Sequence, residues 1–165
     1  MKLLHNVLGI LCGFALMIIL LITSIEAVTY WTPGYYEKEY AKYGVLNDVH
    51  MEMDDLLDVT DEMMAYLRGN REDLHVPTIV NGQPREFFND REIAHMEDVR
   101  GLFLGGLALR RISLGLIVAC VILLLLLKAD IRRVLPKMIC IGSALFFAVL
   151  AVLALLLALA VPAFA

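Results

Sequence analysis

Charged residues are missing from two long stretches of this 165-residue chain, residues 7–25 and 138–165. At a helical rise of ~1.5 Å per residue, each stretch is long enough to cross the ~30 Å hydrocarbon core of a bilayer. A third apolar run, residues 112–127, is shorter than the ~20 residues of a span. We expect this span to include residues that precede the run. No run alternates with a period of two, as the strands of a membrane barrel do. We therefore predict three transmembrane helices, at residues 1–28, 106–127 and 138–165.

A cleaved signal peptide is the alternative interpretation of the first stretch. Its apolar run is longer than the ~7–15 residues of a signal-peptide core, and Lys2 is its only basic flanking residue. Ile25, two residues before Ala27, also departs from the small-residue pattern of a cleavage site. We therefore expect a membrane anchor here.

Cysteine is scarce, and Cys12, Cys120 and Cys140 all lie within the apolar runs. The segment between the first two runs therefore has no disulfide framework. The sequence also lacks a His-x-x-x-His pair and a cysteine–histidine cluster, which argues against a zinc site. It lacks the Gly-x-Ser-x-Gly pattern that would present a serine nucleophile. Neither a zinc site nor a serine-nucleophile site is therefore expected.

Basic residues are few between the first two apolar runs. Residues 29–105 contain sixteen Asp and Glu but only seven Lys and Arg, which gives a net charge of −9. That sign argues against nucleic acid or an anionic membrane surface as a partner. By contrast, residues 128–137 contain four basic side chains, and the positive-inside rule places this loop in the cytoplasm. We therefore predict that residues 29–105 form an acidic extracytoplasmic domain.

Two elements are predicted in the first part of that domain. Apolar side chains at helical spacing indicate an amphipathic helix at residues 54–67. Its acidic residues are expected to form a solvated face, because they lack the glycine and alternating oxygens of a calcium loop. Asn81-Gly82 is a strong signal for a two-residue hairpin turn. It predicts a hairpin at residues 76–88, with strands at 76–80 and 86–88.

A further helix is predicted to begin at residue 90. Asn89 can cap it, and Glu92, three residues later, completes a near capping box. No proline follows until Pro136. One continuous helix from about residue 90 to about residue 127 is therefore expected to lead from the acidic domain into the second span.

His95 is the most informative residue of that helix, because Glu92, His95 and Asp98 are three residues apart and share a face. Either carboxylate can accept a hydrogen bond from one ring nitrogen and leave the other nitrogen as a base. His50 and His75 lie in polar stretches without such pairing. A solvated surface histidine between acids is the alternative interpretation of His95.

Four stretches together resemble the bacterial lipoprotein intramolecular transacylases (Lit). They are Met-Asp-Asp-Leu-Leu-Asp-Val-Thr at residues 53–60, Tyr-Leu-Arg-Gly at 66–69, Val-Asn-Gly-Gln at 80–83, and Arg-Glu-Phe-Phe-Asn-Asp-Arg-Glu-Ile-Ala-His-Met-Glu-Asp-Val at 85–99. The resemblance covers most of the chain and is strongest at residues 81–99. It implies an all-α integral membrane protein with a small α+β extracytoplasmic domain between the first and second spans.

The resemblance implies a multi-pass acyltransferase of the bacterial cell membrane that needs no cofactor. Its partner would be a diacylglyceryl-modified lipoprotein in the lipid bilayer. One O-linked acyl chain would move to the α-amino group of the same cysteine and give the lyso-form lipoprotein. His95 matches the motif histidine of the family and would be the catalytic base, oriented by Glu92 or Asp98. The candidates for stabilising the developing oxyanion are nearby: Arg85, Asn89 and Arg91.

The family is expected to have a fourth span and a second histidine near the outer end of the third span. This sequence ends at Ala165, about where that motif should begin, so a C-terminally truncated member is expected. Two alternatives stay open at this point. One is a non-catalytic membrane protein whose acidic domain binds a partner, and the other is an inactive fragment of the enzyme. The sequence does not indicate an oligomeric state.

Overall fold

The computed structural model describes residues 2–160, and these are mostly helical. The helices are α1 (Lys2–Glu26), α2 (Tyr35–Tyr43), α3 (Val45–Val49), α4 (Met53–Leu67), α5 (Asp90–Leu126) and α6 (Ile131–Ala160), and the strands are β1 (Pro77–Val80) and β2 (Gln83–Glu86). A π-helical turn, Ala27–Trp31, directly follows α1. The chain forms two compact units. We call Ser24–Ala108 the central domain, and the remaining parts of α1 and α5 together with α6 the bundle.

Among residues 2–160, three helices are long and apolar enough to cross a membrane, as the sequence predicts. They are Lys2–Trp31, Asp90–Leu126 and Ile131–Leu159. The first and second contain the spans predicted at residues 1–28 and 106–127, apart from Met1 and residue 127. The last five residues of the span predicted at 138–165 lie outside the described residues.

The basic loop predicted at residues 128–137 is shorter than expected and comprises residues 127–130. Lys128 has a positive φ of 52°, and the amides of Lys128 and Ala129 donate to the carbonyls of Leu125 and Leu124 at 3.0 Å each. This Schellman motif ends α5. The carbonyl of Asp130 then accepts the amides of Arg133 and Val134 at 3.1 and 2.9 Å and starts α6. The prediction was wrong because Arg and Lys are good helix formers, so a basic cluster need not form a loop.

The apolar core of the central domain forms around α4. Leu56, Val59, Met64 and Leu67 are buried on one face of this helix, whereas Asp58, Asp61 and Glu62 are exposed on the other. The helix therefore has the amphipathic pattern that the sequence predicts for residues 54–67. Partly buried side chains of α5 pack against the same core, namely Ile93, Met96, Val99 and Phe103. This packing determines which face of α5 points inward.

Two short helices that the sequence analysis did not predict, α2 and α3, also pack on this core. Tyr36 donates from its hydroxyl to the sulfur of Met64 at 3.2 Å, and the hydroxyls of Tyr40 and Thr60 lie 2.7 Å apart. Burial raises the pKa of Tyr36 to about 12, with a smaller contribution from Tyr40, so this phenol remains a hydrogen-bond donor at neutral pH. The tyrosines therefore attach α2 to α4.

The hairpin has its turn at the predicted position but a different second strand. Val80 pairs with Gln83 and Pro77 with Glu86, so β2 comprises Gln83–Glu86 rather than residues 86–88. The correction follows from turn geometry, because a two-residue loop makes the residues on either side of it partners. Asn81 and Gly82 both have positive φ, 54° and 71°, as a type I′ turn requires.

We expect Gly82→Val to lower the free energy of unfolding by about 1–2 kcal/mol, the cost of a left-handed conformation for a residue with a Cβ. A Cβ at Gly82 would meet no atom of the described residues within 4 Å, so the loss of stability reports backbone strain and not steric overlap. Thermal unfolding in detergent measures it. Gly82→Asn is the matched control, since asparagine tolerates this conformation. Equal destabilisation by the two changes would show that φ is not the cause.

In the bundle, glycines bring α1 and α6 into close contact. Gly9 and Gly13 form a Gly-x-x-x-Gly pattern on α1, and Gly142 lies on α6. A Cβ at Gly13 would lie 2.7 Å from the Cα of Ile139, so the helix backbones almost touch. By contrast, a Cβ at Gly101, Gly105 or Gly106 would meet nothing within 4 Å in the part of the chain that the structure describes.

Gly142→Val is therefore expected to separate α1 from α6 and to lower stability by about 1–3 kcal/mol or more. A Cβ at this position would lie 2.8 Å from the backbone nitrogen of Phe14 and 3.0 Å from the carbonyl carbon of Gly13. Backbone atoms cannot rotate out of the way as a side chain can. Gly115→Val in α5 is the control, because a Cβ there meets no atom of residues 2–160 within 4 Å. Similar melting temperatures for the two variants would contradict the proposed close contact.

Candidate active site

A cleft of about 730 Å³ opens in the central domain beside the N-terminus of α5. Its lining combines residues from α3, the hairpin and α5. They are Asp48, Val49, His50, Val80, Asn81, Arg85, Phe87, Phe88, Arg91, Glu92, His95 and Met96. The lining therefore contains two imidazoles, two guanidinium groups and two phenyl rings. One of the imidazoles is that of His95, the residue that the sequence analysis singled out.

A capping box places the first turns of α5. The side-chain oxygen of Asn89 accepts the amides of Arg91 and Glu92, each at 3.0 Å. In return, the carboxylate of Glu92 accepts the amide of Asn89 at 2.9 Å. This reciprocal arrangement is the one that the spacing of Asn89 and Glu92 predicts. It starts the helix at Asp90 and determines where the side chains of the next turn point.

His95 is exposed and lines the cleft. Ile93, Met96 and Val99 pack on the domain core, so the helix turns the intervening His95 away from the core. Among residues 2–160, neither Glu92 nor Asp98 makes a hydrogen bond to the imidazole, and the carboxylate of Glu92 is used by the cap instead. Asp98 is also not part of the cleft lining. The orienting bond expected from residue spacing is therefore not formed in this structure.

Two of the three residues considered for oxyanion stabilisation reach the cleft. Arg85, on β2, and Arg91, on α5, both line it. The Nε of Arg85 donates to the carbonyl of Glu86 at 3.2 Å, and its terminal nitrogens make no hydrogen bond to another residue between 2 and 160. Asn89 lies on a neighbouring smaller cavity, and its side-chain oxygen accepts the cap hydrogen bonds. Arg85 and Arg91 are therefore the better placed donors.

His50 lines the same cleft, although the sequence analysis set it aside. It follows α3 and is 45 residues from His95 in the sequence, so no local pattern connects the two. The hairpin brings them together, because the amide of Asn81 donates to the carbonyl of His50 at 3.1 Å. His75, in contrast, lies in a loop where its backbone binds Arg71 and Asp73. That both histidines line one cleft is therefore visible only in the folded chain.

Comparison with known proteins identifies the family of this chain. Residues 10–163 match the family model described as "Lipoprotein intramolecular transacylase Lit". The chain belongs to the Lit family. No curated protein and no solved structure matches it. The match includes every residue of the cleft and reaches into all three membrane-length helices, so the family resemblance noted in the sequence is confirmed.

Family membership makes the chain a membrane protein of a lipoprotein transacylase family. For a Lit protein the chemistry of interest is acyl transfer, which needs a proton acceptor for the nucleophile and hydrogen-bond donors for the oxyanion. The cleft has both kinds of group in its lining, as His95 and the pair Arg85 and Arg91. Phe87 and Phe88 add an apolar surface beside them, with ring centroids 4.9 Å apart.

Proposed function

We propose that this Lit protein moves one O-linked acyl chain of a diacylglyceryl-cysteine lipoprotein to the α-amino group of the same cysteine. The product is a lyso-form lipoprotein with one chain on the glyceryl group and one on nitrogen. The observation that carries the proposal is the presence of His95, Arg85 and Arg91 in one cleft of a chain that belongs to the Lit family.

We further propose that the central domain lies outside the bacterial cell membrane. The basic residues that follow α5 favour a cytoplasmic position for the α5–α6 connection, and α5 then enters the membrane from the outside. Arg100, five residues beyond His95, is followed by the uncharged stretch 101–109. At ~1.5 Å per residue, His95 lies roughly 8 Å before the start of the apolar stretch. That distance suits the head-group region, where the ester carbonyls of a lipid are found.

The proposed reaction begins with the α-amino group, whose pKa of about 7.7–8.0 leaves it mostly protonated at neutral pH. The neutral amine, present in equilibrium with the protonated form, attacks the ester carbonyl while His95 accepts a proton from the nitrogen. Arg85 or Arg91 donates to the oxygen that becomes negative. The carbon–oxygen bond of the ester then breaks, and the glyceryl oxygen takes up a proton. Because donor and acceptor belong to one molecule, binding both ends converts the reaction into a short intramolecular transfer.

Isomerisation of a synthetic diacylglyceryl-cysteine lipopeptide by the purified chain in detergent–lipid micelles tests the proposal. Intramolecular transfer leaves the intact mass of the lipopeptide unchanged. It removes the reactive primary amine and moves one acyl group to the cysteine nitrogen, which fragmentation in a mass spectrometer locates. We expect loss of amine labelling and appearance of the N-acyl fragment to proceed at the same rate.

A mixture of two lipopeptides, one with deuterated acyl chains, provides the control for intramolecularity. Products should retain both of their own chains, without mixed species. Release of free fatty acid would indicate a hydrolase instead, and mixed species would indicate transfer between molecules. An unchanged lipopeptide would favour a non-catalytic, partner-binding role for the central domain.

A further inference from the structure

We infer that His50 is a second catalytic residue of the cleft, the acid that protonates the departing glyceryl oxygen while His95 serves as base. The inference rests on the proposed transacylase function and assigns the second half of the proton transfer. Its basis is the meeting of His50 and His95 in one cleft, from elements that are far apart in the sequence.

The backbone of His50 is held in a conformation that histidine rarely adopts. Its φ and ψ are 56° and 48°, in the left-handed region, where a side chain with a Cβ costs about 1–2 kcal/mol. Its amide donates to the carbonyl of Leu46 at 2.9 Å, and its own carbonyl accepts the amide of Asn81 at 3.1 Å. Glycine would satisfy both bonds without strain, as Gly34 and Gly44 do at similar angles. An imidazole at such a strained position points to a use of its side chain.

The two imidazoles share the cleft lining with charged groups that have other roles. Arg85 and Arg91 are the proposed oxyanion donors, and the carboxylate of Glu92 accepts the cap amide. His95 is the proposed base. Imidazole is the side chain most often used for proton transfer, so His50 is the group of the lining left to protonate the leaving oxygen.

With His95 as base and His50 as acid, the bonds and protons of the reaction balance. A carbon–nitrogen bond forms between the cysteine amine and the acyl carbonyl, and the proton lost from nitrogen goes to His95. The carbon–oxygen bond of the ester breaks, and the glyceryl oxygen takes a proton from His50. Exchange with water returns His95 to its neutral form and His50 to its protonated form. Nothing is oxidised or reduced, and no further reactant is consumed.

Substrates with different leaving groups separate this role from a structural one. The first is the natural glyceryl ester, and the second is a thioglyceryl analogue in which the migrating chain is held as a thioester. A thiol has a pKa of about 8.5, so a thiolate leaves without the help of an acid. We therefore expect His50→Asn to lower the rate on the ester by about 100-fold or more. On the thioester its rate should stay close to that of the unchanged protein.

The variants are chosen so that the fold survives. Asparagine tolerates the left-handed conformation of residue 50, so both backbone hydrogen bonds can persist. His75→Asn is the matched control, because His75 is exposed but does not line the cleft. His50→Gly removes the side chain without backbone strain, and imidazole added to the buffer should partly restore its activity on the ester.

The outcomes distinguish this inference from the proposed function. A rate on the ester unchanged by His50→Asn, or equal losses on the two substrates, would overturn the acid role of His50. Absence of imidazole rescue in a folded His50→Gly variant would do the same. Failure of the unchanged protein to convert either substrate would instead overturn the proposed function. A selective loss on the ester, with His75→Asn unaffected, supports the assignment.

Discussion

His95→Asn is expected to lower the initial rate of acyl transfer by about 10²–10⁴-fold, the usual contribution of a positioned general base. Asparagine is nearly the shape of the imidazole's inner half but cannot accept and release a proton near neutral pH. His95 is exposed, so the change should leave stability almost unaltered. The rate of N-acyl product formation from the diacylglyceryl lipopeptide is the measurement.

Two neighbouring changes serve as controls for His95. Asp98→Asn alters the acid one turn along α5, which lies outside the cleft, and should leave the rate close to normal. Glu92→Gln keeps an oxygen for the amide of Asn89 and so preserves the helix cap. A fully active His95→Asn variant would remove the base from the proposed reaction. A strong loss in Asp98→Asn would show that this acid orients the imidazole when substrate is bound.

Arg68→Ala should have the largest effect on stability, lowering the free energy of unfolding by about 3–5 kcal/mol. Glu26 is 3% exposed at the end of α1, and its carboxylate binds the guanidinium of Arg68 at the end of α4. Removing the arginine leaves a carboxylate in a buried site without this countercharge. The change also removes a cation that lies 4.1 Å from the ring centre of Tyr30.

Thermal unfolding in detergent micelles measures this effect. Lys42→Ala is the matched control, because its ion pair with Glu39 is exposed and such pairs are worth about 0–1 kcal/mol. The double variant Glu26→Gln, Arg68→Ala should recover part of the loss, since the buried charge is then gone. Equal destabilisation by Arg68→Ala and Lys42→Ala would show that burial of Glu26 does not strengthen the pair.

Several features of the fold could be predicted because their signals are local. The uncharged runs predict helices long enough to cross a membrane, whatever their neighbours are. Asn81-Gly82 predicts a type I′ turn from two residues that tolerate positive φ. Asn89 and Glu92 predict the start of α5, because a capping box is complete within four residues.

Two element boundaries were predicted less well than the elements themselves. The second strand begins directly after the turn, and the helix α6 begins within the basic segment that was predicted as a loop. Helices α2 and α3 are short, and isolated helices of their length are not stable in water. Formation of α2 depends on packing of Tyr36 and Tyr40 against α4, and α3 packs its apolar residues on the same core. Residues 35–49 alone do not show these contacts.

The sequence by itself determined the apolar helices, the amphipathic α4, the hairpin turn and the placement of His95 near the start of a long helix. Those features depend on periodicity and on contacts within a few residues. Only the tertiary structure decided that His50 joins His95 in one cleft, that Arg68 meets Glu26 across 42 residues, and that Gly13 touches α6. Such contacts arise when segments that are distant in the sequence pack on a common core. The spacing of residues along the chain does not predict them.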